Sequence, residues 1–246
     1  MKRILTTAFS VVLFTLVAFG SQPITMASYN IRNGVGLDNR RDVERTANVV
    51  RRLYMDFVAL QEVDSMTNRS GGTDVAAEIA KRAGMYHTYA KAIDYDGGAY
   101  GVALLSREEP LSVKRVALPG REEARVLLIA DFGNVAVACT HLSLTAADRE
   151  ASARIIVEEA RMAGKPMLLA GDFNSRPDEE TMKILSEEFQ LLTNTDEMTY
   201  PAGIPYEVLD YIMVSGAGKV EMSVSVVANE PLASDHRPVV VDMELP

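Results

Sequence analysis

Residues 166–174 read PMLLAGDFN, an apolar run that ends in a carboxylate and an amide. A short apolar run bounded by polar residues is the pattern of a buried strand. In α/β proteins ligands bind where strands end, so Asp172 and Asn174 are candidate site residues. A single Asp or Asn after a strand is more often only a turn residue, so the other strand ends decide whether these two residues belong to a site.

Three more apolar runs end in groups that bind metal or phosphate or move a proton. Residues 24–29 lead to Asn30, residues 57–60 to Glu62, and residues 135–140 to His141. The chain has only three histidines, and two of them, His141 and His236, stand at apparent strand ends beside polar residues. His87 lacks such neighbours and is interpreted as a structural residue.

Oxygen ligands at these strand ends indicate a site for a hard cation. Hydrolysis of a phosphoester in water needs a cation to offset the charge on the phosphoryl oxygens. Glu62 suits Mg²⁺, with Asp235 and the amide oxygen of Asn30 as further ligands. We therefore expect Mg²⁺ as the cofactor, with Mn²⁺ as the alternative.

The same reaction needs groups that activate water and stabilise the transition state. Asp172 suits water activation, and Asn174 can present its amide to a phosphate oxygen. His141 and His236 are candidate phosphate ligands or proton donors. Asp210, on a neighbouring predicted strand, can orient His236.

Other kinds of site fit the sequence less well. A zinc site would have no Cys pair and no closely spaced histidines to use. Ser234, Asp235 and His236 are not a catalytic triad by adjacency, because neighbouring side chains on an extended segment point to opposite faces. The sequence also lacks a glycine-rich phosphate loop of the P-loop or Rossmann type.

The order of predicted elements favours one α/β domain over residues 24–246, with two packed sheets and helices outside. Predicted strands cover residues 24–29, 57–60, 101–105, 125–131, 135–140, 166–170, 208–214, 220–227 and 239–245. Predicted helices begin near Val43, at a Thr73 cap, at a Thr145–Asp148 capping box, and after Pro177 with Met182, Leu185 and Phe189 on one face. A length of 246 residues suits a single domain.

Residues 1–20 differ from the rest of the chain. Two basic residues precede the uncharged apolar stretch 4–19, which is typical of a signal peptide cut near Gly20. An uncleaved membrane anchor is the alternative, although the stretch is short for a spanning helix. Cys139 is the only cysteine, so no disulfide can form within the chain. The sequence thus favours an exported bacterial protein, periplasmic or secreted, without stable membrane insertion after cleavage.

The net charge of the chain indicates which kinds of substrate or partner it can bind. The formal net charge is −9, and the part after residue 20 has 23 Lys and Arg against 34 Asp and Glu. The sequence therefore shows no broad basic surface for nucleic acid, which argues against high non-specific affinity for duplexes. Local basic groups can still bind a phosphate, so the negative net charge is compatible with phosphoester chemistry.

Seven segments, in order along nearly the whole chain after residue 24, carry a family resemblance. They are Ser28–Arg32, Leu60–Val63, Tyr100–Arg107, Thr140–Leu142, Gly171–Asn174, Leu209–Ile212 and Ser234–Pro238. At these residues the sequence resembles the endonuclease/exonuclease/phosphatase superfamily, which includes DNase I, abasic-site endonucleases, inositol polyphosphate 5-phosphatases, neutral sphingomyelinases and deadenylases. The resemblance implies a DNase I-like four-layer α/β sandwich, with two central mixed β-sheets flanked by helices and the site at one end.

The resemblance also implies a role for each candidate residue. The implied metal side is Glu62, Asn30 and Asp235; the implied catalytic residues are Asp172, Asn174, His141, and Asp210 paired with His236. Arg125 falls where several members place a phosphate-contacting arginine, and Arg32 is the second candidate for substrate binding. Two positions depart from some members: Arg32 replaces an acid, and Ala99 replaces a glutamate that supports His141, which we expect to be oriented differently.

The preferred function is hydrolysis of a small phosphomonoester or phosphodiester, such as a sugar, inositol or lipid phosphate, by metal-assisted in-line attack of water. A secreted DNase I-like endonuclease is the main alternative, with local arginines such as Arg32, Arg69 and Arg125 gripping nucleic acid. A non-catalytic binding protein on the same fold is the third hypothesis. The turns at residues 68–72 and 94–98 are candidate specificity loops, or only turns.

Overall fold

The computed structural model describes residues 22–216, 218 and 220–245. The predicted signal peptide, residues 1–20, lies outside the described residues. Within the described part, no helix has the length and apolar character needed to cross a membrane.

Strands from both ends of the chain form the first sheet. They are β1 (Gln22–Asn30), β2 (Phe57–Ser65), β3 (Tyr86–Tyr95), β4 (Gly98–Ser106), β11 (Glu221–Val227) and β12 (Val239–Leu245). Their order is β11-β12-β1-β2-β4-β3. β1 and β2 pair in parallel, whereas the other neighbours pair antiparallel. The sheet is therefore mixed.

The middle of the chain forms the second sheet. Its strands are β5 (Ser112–Leu118), β6 (Arg125–Asp131), β7 (Ala136–His141), β8 (Met167–Asp172), β9 (Phe189–Leu191) and β10 (Asp210–Ser215). Their order is β5-β6-β7-β8-β10-β9, and β7 and β8 form the parallel pair. This sheet too is mixed.

Helices cover the outer face of each sheet. They are α1 (Val43–Leu53), α2 (Val75–Ala83), α3 (Ala146–Ala163) and α4 (Glu180–Ser186). One buried apolar cluster lies between the sheets. A second joins α1 and α2 to the first sheet, and a third joins α3 and α4 to the second sheet. The structure confirms the four-layer sandwich with two mixed sheets.

All nine predicted strands are present, but β3, β5 and β9 were not predicted from the sequence. Each of them lies at an edge of its sheet. β5 is largely exposed or half-buried up to its last residue, because an edge strand contacts neighbours on one side only. Such strands carry polar residues and lack the apolar run by which central strands are identified. Phe189, predicted on the face of a helix, is instead the first residue of β9.

The helix α3 begins after Thr145 as predicted but lacks the predicted capping box, and the predicted cap of α2 is wrong by one residue. Thr145 is the residue before α3 but makes no capping hydrogen bond with its side chain. Asp148 does not complete a capping box, because its carboxylate accepts hydrogen bonds from Arg121. At α2 the cap is Asp74 rather than Thr73, since the Asp74 carboxylate accepts the hydrogen bond from a backbone N–H of the first turn.

Candidate active site

The polar strand ends of both sheets meet at one end of the sandwich. In the first sheet, Asn30 at the end of β1 lies opposite Gln61 of β2. In the second sheet, His141 at the end of β7 and Asp210 at the start of β10 both lie opposite Asp172 of β8. The register of the strands therefore brings together residues that are far apart in sequence.

Asn30 joins the two sheets at this end. Its amide Nδ2 donates to Glu62 Oε1 at 3.1 Å and to Asp172 Oδ2, 142 positions away, at 3.0 Å. Its Oδ1 accepts a hydrogen bond from the backbone N–H of Arg32 at 3.0 Å, which fixes the orientation of the amide. Asn30 is fully buried, so the bridge is shielded from bulk water.

Three candidate residues have a strained backbone: Arg32, with φ of 44°, Glu62 and Asn174. Glu62 has φ of 58° and Asn174 has φ of 47°, in the left-handed region that non-glycine residues rarely adopt. Glu62 lies where the pairing of β2 with β4 shifts register between Leu60 and Val63. The bulge turns the Glu62 side chain out of the regular alternation, as bulges beside functional sites do. Local strain of this kind concentrates at functional sites.

The carboxylates around Glu62 fit a divalent cation. Burial raises the pKa of Glu62, the hydrogen bond from Asn30 lowers it, and the negative charges of Asp235 and Asp172 raise it further. Carboxylates gathered in this way repel one another. A hard cation held among their oxygens would relieve the repulsion, and oxygen atoms are the ligands that Mg²⁺ prefers.

Asp172 is the centre of the polar cluster. Its Oδ1 accepts a hydrogen bond from the backbone N–H of Asn174 at 2.9 Å. Its Oδ2 lies 3.5 Å from His141 Nε2 and 3.6 Å from His236 Nε2. Asp172 is almost fully buried, so these polar partners hold its carboxylate in one orientation.

His236 and Asp210 form a buried pair. His236 Nδ1 lies 2.8 Å from Asp210 Oδ2, which leaves Nε2 directed toward Asp172. Burial alone would lower the pKa of His236, but the charges of Asp210 and Asp172 and the hydrogen bond to Asp210 raise it to about 10. The ring also packs on Tyr200, with 4.7 Å between ring centroids. His236 is therefore cationic at neutral pH.

His141 differs from His236 in its charge state. Burial lowers its pKa to about 4, and the charge of Asp172 opposes that shift, so His141 is neutral at neutral pH. The Nδ2 atom of Asn174 lies 3.1 Å from His141 Nε2 and donates to the carbonyl oxygen of Leu142 at 3.0 Å. Asn174 thus holds His141 in place. The amide of Asn174 could donate a hydrogen bond to a phosphate oxygen only if its contact with His141 or with Leu142 were broken.

Asp172, Asp210 and His236 also offer a second arrangement for a metal. One ligand atom of each lies within 4.8 Å of the others. However, Asp210 already binds the imidazole of His236 through Nδ1, and Mg²⁺ prefers oxygen to nitrogen ligands. The chemistry of the groups therefore favours proton handling for this trio and cation binding beside Glu62.

The two candidate arginines lie in different surroundings. Arg125 is 6% exposed and lines the cleft. Its Nη1 lies 2.8 Å from Glu123 Oε1, and its Nη2 lies 3.4 Å from Glu122 Oε1. Arg32 lies at the metal side, with Nε 3.6 Å from Asp235 Oδ2. Arg125 thus faces the substrate space, while Arg32 flanks the predicted metal ligand Asp235.

A cleft of about 520 Å³ opens above these groups. Several residues that line it were not predicted as site residues: Tyr100, Glu122, Glu123, Leu144, Tyr200, Glu207 and Leu209. Tyr100 and Leu209 each begin a segment that carries the family resemblance, which is the sequence signal that could have identified them. The other five lie on loops, whose approach to the cleft depends on the folded chain.

Residues 27–236 match the model of the Endonuclease/Exonuclease/phosphatase family. A curated relative from Salmonella typhi, a homolog of a cytolethal distending toxin component, is 27% identical over 157 residues. The alignment covers 62% of this chain and 58% of that relative, so this chain matches less than two thirds of the relative's length.

Solved structures share the fold. An endonuclease/exonuclease/phosphatase from Beutenbergia cavernae has a TM-score of 0.73 at 22% identity, covering 91% of this chain and 72% of its own. A mannosyl-6-phosphatase from Bacteroides thetaiotaomicron has a TM-score of 0.72 at 17% identity, covering 89% of this chain and 99% of its own. At such identities the likeness establishes the fold.

Proposed function

The chain belongs to the endonuclease/exonuclease/phosphatase family of phosphoester hydrolases, and on that premise we propose that it hydrolyses a small phosphomonoester or phosphodiester with Mg²⁺. Mn²⁺ is the alternative ion. The observation that carries this proposal is the position of Asp172, whose Oδ2 accepts from Asn30 and faces both site histidines within a cleft. Sugar, inositol and lipid phosphates are the substrate classes.

We assign the cation to Glu62, Asn30 and Asp235. When bound, Mg²⁺ supplies positive charge for the phosphoryl oxygens. The reason for this assignment is that Glu62 and Asp235 are carboxylates that line the same cleft. Asn30 adjoins them, since its Nδ2 donates to Glu62, and it would reach the cation through Oδ1, which accepts the backbone N–H of Arg32. Asn30 contacts both Glu62 and Asp172, so it also sets the spacing between the cation and the water-activating group.

The other site residues activate water and stabilise the charge that develops on the phosphoryl group. Asp172 orients the attacking water and accepts its proton at Oδ2. His236, held cationic by Asp210, donates a hydrogen bond to a phosphoryl oxygen as negative charge develops there. Arg125 adds positive charge at the wall of the cleft. Neutral His141, positioned by Asn174, provides a further contact to the phosphoryl group.

The charge of the cleft supports a small substrate over a nucleic acid. Six of the fourteen residues that line it are Asp or Glu, and Arg125 is the one Lys or Arg among these described residues. Glu122 and Glu123 already neutralise much of its charge. A polyanionic backbone would meet repulsion along such walls, whereas one phosphoryl group can be balanced by the cation and His236.

A substrate panel tests the proposal. The purified protein is incubated with sugar, inositol and lipid phosphates and with plasmid DNA, each with Mg²⁺ and with EDTA. We expect hydrolysis of at least one small phosphoester with Mg²⁺, none with EDTA, and intact plasmid. Nicking of the plasmid while every small phosphoester stays intact would establish the nuclease alternative instead.

We further propose that residues 24–246 form one catalytic domain and that residues 1–20 direct export to the periplasm or the medium. The support for export is the charged start and uncharged apolar stretch of the N-terminal sequence. Expression of the full chain in a bacterial host followed by fractionation tests it. We expect the mature protein, shortened at its N-terminus, outside the cytoplasm; a full-length cytoplasmic protein would contradict export.

A further inference from the structure

Asp64 is a fully buried carboxylate close to the site but outside the cleft. It follows Glu62 by two positions in β2, just past the bulge. Arg69 binds it through two parallel hydrogen bonds, Nε to Oδ2 at 2.8 Å and Nη2 to Oδ1 at 2.7 Å. Arg41 Nη1 and Thr67 Oγ1 also donate to Oδ2, at 3.3 and 2.9 Å. A buried charge needs such partners.

Arg69 connects Asp64 to the wall of the cleft. Its guanidinium carbon lies 4.3 Å from the ring centroid of Tyr95 and 5.4 Å from that of Tyr100, distances at which a cation attracts an aromatic face. Tyr100 lines the cleft. Its hydroxyl pKa is raised by burial and then by the charge of Glu62. Arg69 therefore lies against the ring of a residue that lines the cleft.

The loops on this side also bind each other. The backbone N–H of Arg69 donates to Asp96 Oδ2 at 2.6 Å, and that of Asn68 donates to the carbonyl oxygen of Asp96 at 2.8 Å. The two candidate specificity loops, residues 68–72 and 94–98, thus form one wall. Because Arg69 forms a bidentate ion pair with Asp64, its guanidinium is not free to bind the phosphates of a nucleic acid backbone.

Arg41 connects Asp64 to the metal side. Its guanidinium donates to both the backbone carbonyl oxygen and the side-chain Oδ1 of Asn33. Arg32 and Asn33 both have positive φ, 44° and 45°, so this turn needs external support. In the same turn, the backbone N–H of Arg32 donates a hydrogen bond to Asn30 Oδ1. Arg41 therefore helps to set the orientation of the Asn30 amide.

We propose that Asp64 is a positioning residue that controls the two halves of the cleft through two separate arginines. Arg41 positions the metal side, through the turn that orients Asn30. Arg69 positions the substrate wall, through Tyr100. This inference rests on the proposed function, because it assigns the Glu62 side to a cation and the Tyr100 wall to the phosphoryl group.

Two conservative variants separate the branches. Arg41→Lys and Arg69→Lys keep the charge but lose the planar, bidentate geometry. The dissociation constant of Mn²⁺ is measured by electron paramagnetic resonance, and that of inorganic phosphate by calorimetry at saturating Mn²⁺. We expect Arg41→Lys to weaken Mn²⁺ binding roughly tenfold, as for other outer supports of a metal site, with phosphate binding changed less than about twofold. Arg69→Lys should weaken phosphate binding by a similar factor and leave Mn²⁺ binding unchanged.

Arg161→Lys is the matched control, because Arg161 also pairs with a carboxylate, that of Glu188, but on the outer helical layer. It should change neither constant. Asp64→Asn should weaken binding of both probes, and thermal unfolding of each variant checks its folding. Three results would overturn the proposal. Each arginine variant could weaken binding of Mn²⁺ and phosphate alike, neither variant could change either dissociation constant, or the wild-type protein could bind neither probe. A wild-type protein that binds both probes but hydrolyses no panel substrate would instead refute the proposed function.

Discussion

At the scale of single residues, Asp172 combines burial with several polar partners. Its two oxygens are held by Asn30 and by the backbone of Asn174, and both site histidines lie within 3.6 Å of Oδ2. A group held this way loses little freedom when it accepts a proton from a nearby water, and such preorganisation is what general-base catalysis requires.

Asp172→Asn removes the charge of this group while keeping its volume. We expect kcat to fall by roughly 10²- to 10⁴-fold, the usual contribution of a positioned base, because an amide cannot take the proton of water. Steady-state phosphate release measures the loss. Asp178→Asn, an exposed change six positions later, is the control and should retain full activity; an equally active Asp172→Asn enzyme would exclude Asp172 as the base.

Asn174 allows the role of its side chain to be separated from backbone strain. Its φ of 47° suits glycine, so Asn174→Gly removes the side-chain contacts without adding backbone strain. Asn174→Ala should lower the free energy of unfolding by about 1 kcal/mol relative to Asn174→Gly, because alanine is strained there. Both should lose activity to the same extent, since both release His141. Chemical denaturation and kcat measure the two effects; a fully active glycine variant would remove the side chain from the mechanism.

Much of the residue inventory can be predicted from the sequence, because chemistry is a property of residue type. Glu62 and Asp172 are identified by their position after apolar runs, and His236 by its position just before the last one. Their charge states are not, because the opposite pKa shifts of His141 and His236 depend on which carboxylate each ring faces. The positive φ of Glu62 is also invisible, since it arises from a bulge in the pairing of two strands.

At the scale of elements, the loop before β6 is fixed to the loop after β7 through Glu122. Its carboxylate accepts from Ser143 Oγ at 2.9 Å and from the backbone N–H of Leu144 at 2.7 Å. Partial burial alone would raise the pKa of Glu122, but these hydrogen bonds and Arg125 lower it from 4.5 to about 2. This carboxylate therefore holds one rim of the cleft in its charged form.

The lowered pKa of Glu122 predicts a pH dependence of stability. Because the folded protein favours the carboxylate, the stabilisation is present above pH 4.5 and is lost as the pH falls through about 2. Relative to Glu122→Gln, the wild type should be more stable by about 1 kcal/mol at pH 6, since solvent screening reduces the effect of this group. Denaturation of both proteins between pH 6 and 2 measures the difference, and a constant difference across this range would contradict the assignment.

Central strands and edge strands differ in how well the sequence identifies them. β8 is buried along its whole length, so its residues form a continuous apolar run. β3 and β5 lie at sheet edges and carry polar side chains on their open faces, so the apolar pattern is missing. The site is built from strands within the sheets, which explains why its residues could be found although three strands were not.

At the scale of the whole molecule, the site lies between the two sheets. Glu62 and Asn30 come from the first sheet, and Asp172, Asp210 and His141 from the second. The hydrogen bond from Asn30 to Asp172 crosses between the sheets. A change in how the sheets pack would therefore alter the distance between the cation side and the water-activating group.

This arrangement predicts that the cation stabilises the fold. Mg²⁺ at 100 times its dissociation constant should raise the free energy of unfolding by about 2.7 kcal/mol, because it binds the folded chain and relieves repulsion among Glu62, Asp172 and Asp235. Thermal unfolding with Mg²⁺ and with EDTA measures the effect. Glu62→Gln should need a higher Mg²⁺ concentration for the same gain, and equal responses of the two proteins would place the cation elsewhere.

The most direct test of the central claim is the fate of the oxygen of water. The protein is incubated with a sugar phosphomonoester and Mg²⁺ in ¹⁸O-labelled water, and the released phosphate is analysed by mass spectrometry. Attack of water on phosphorus predicts one ¹⁸O atom in each phosphate released, with none released in EDTA. Phosphate release without ¹⁸O, or undiminished release in EDTA, would contradict metal-dependent hydrolysis at this cleft.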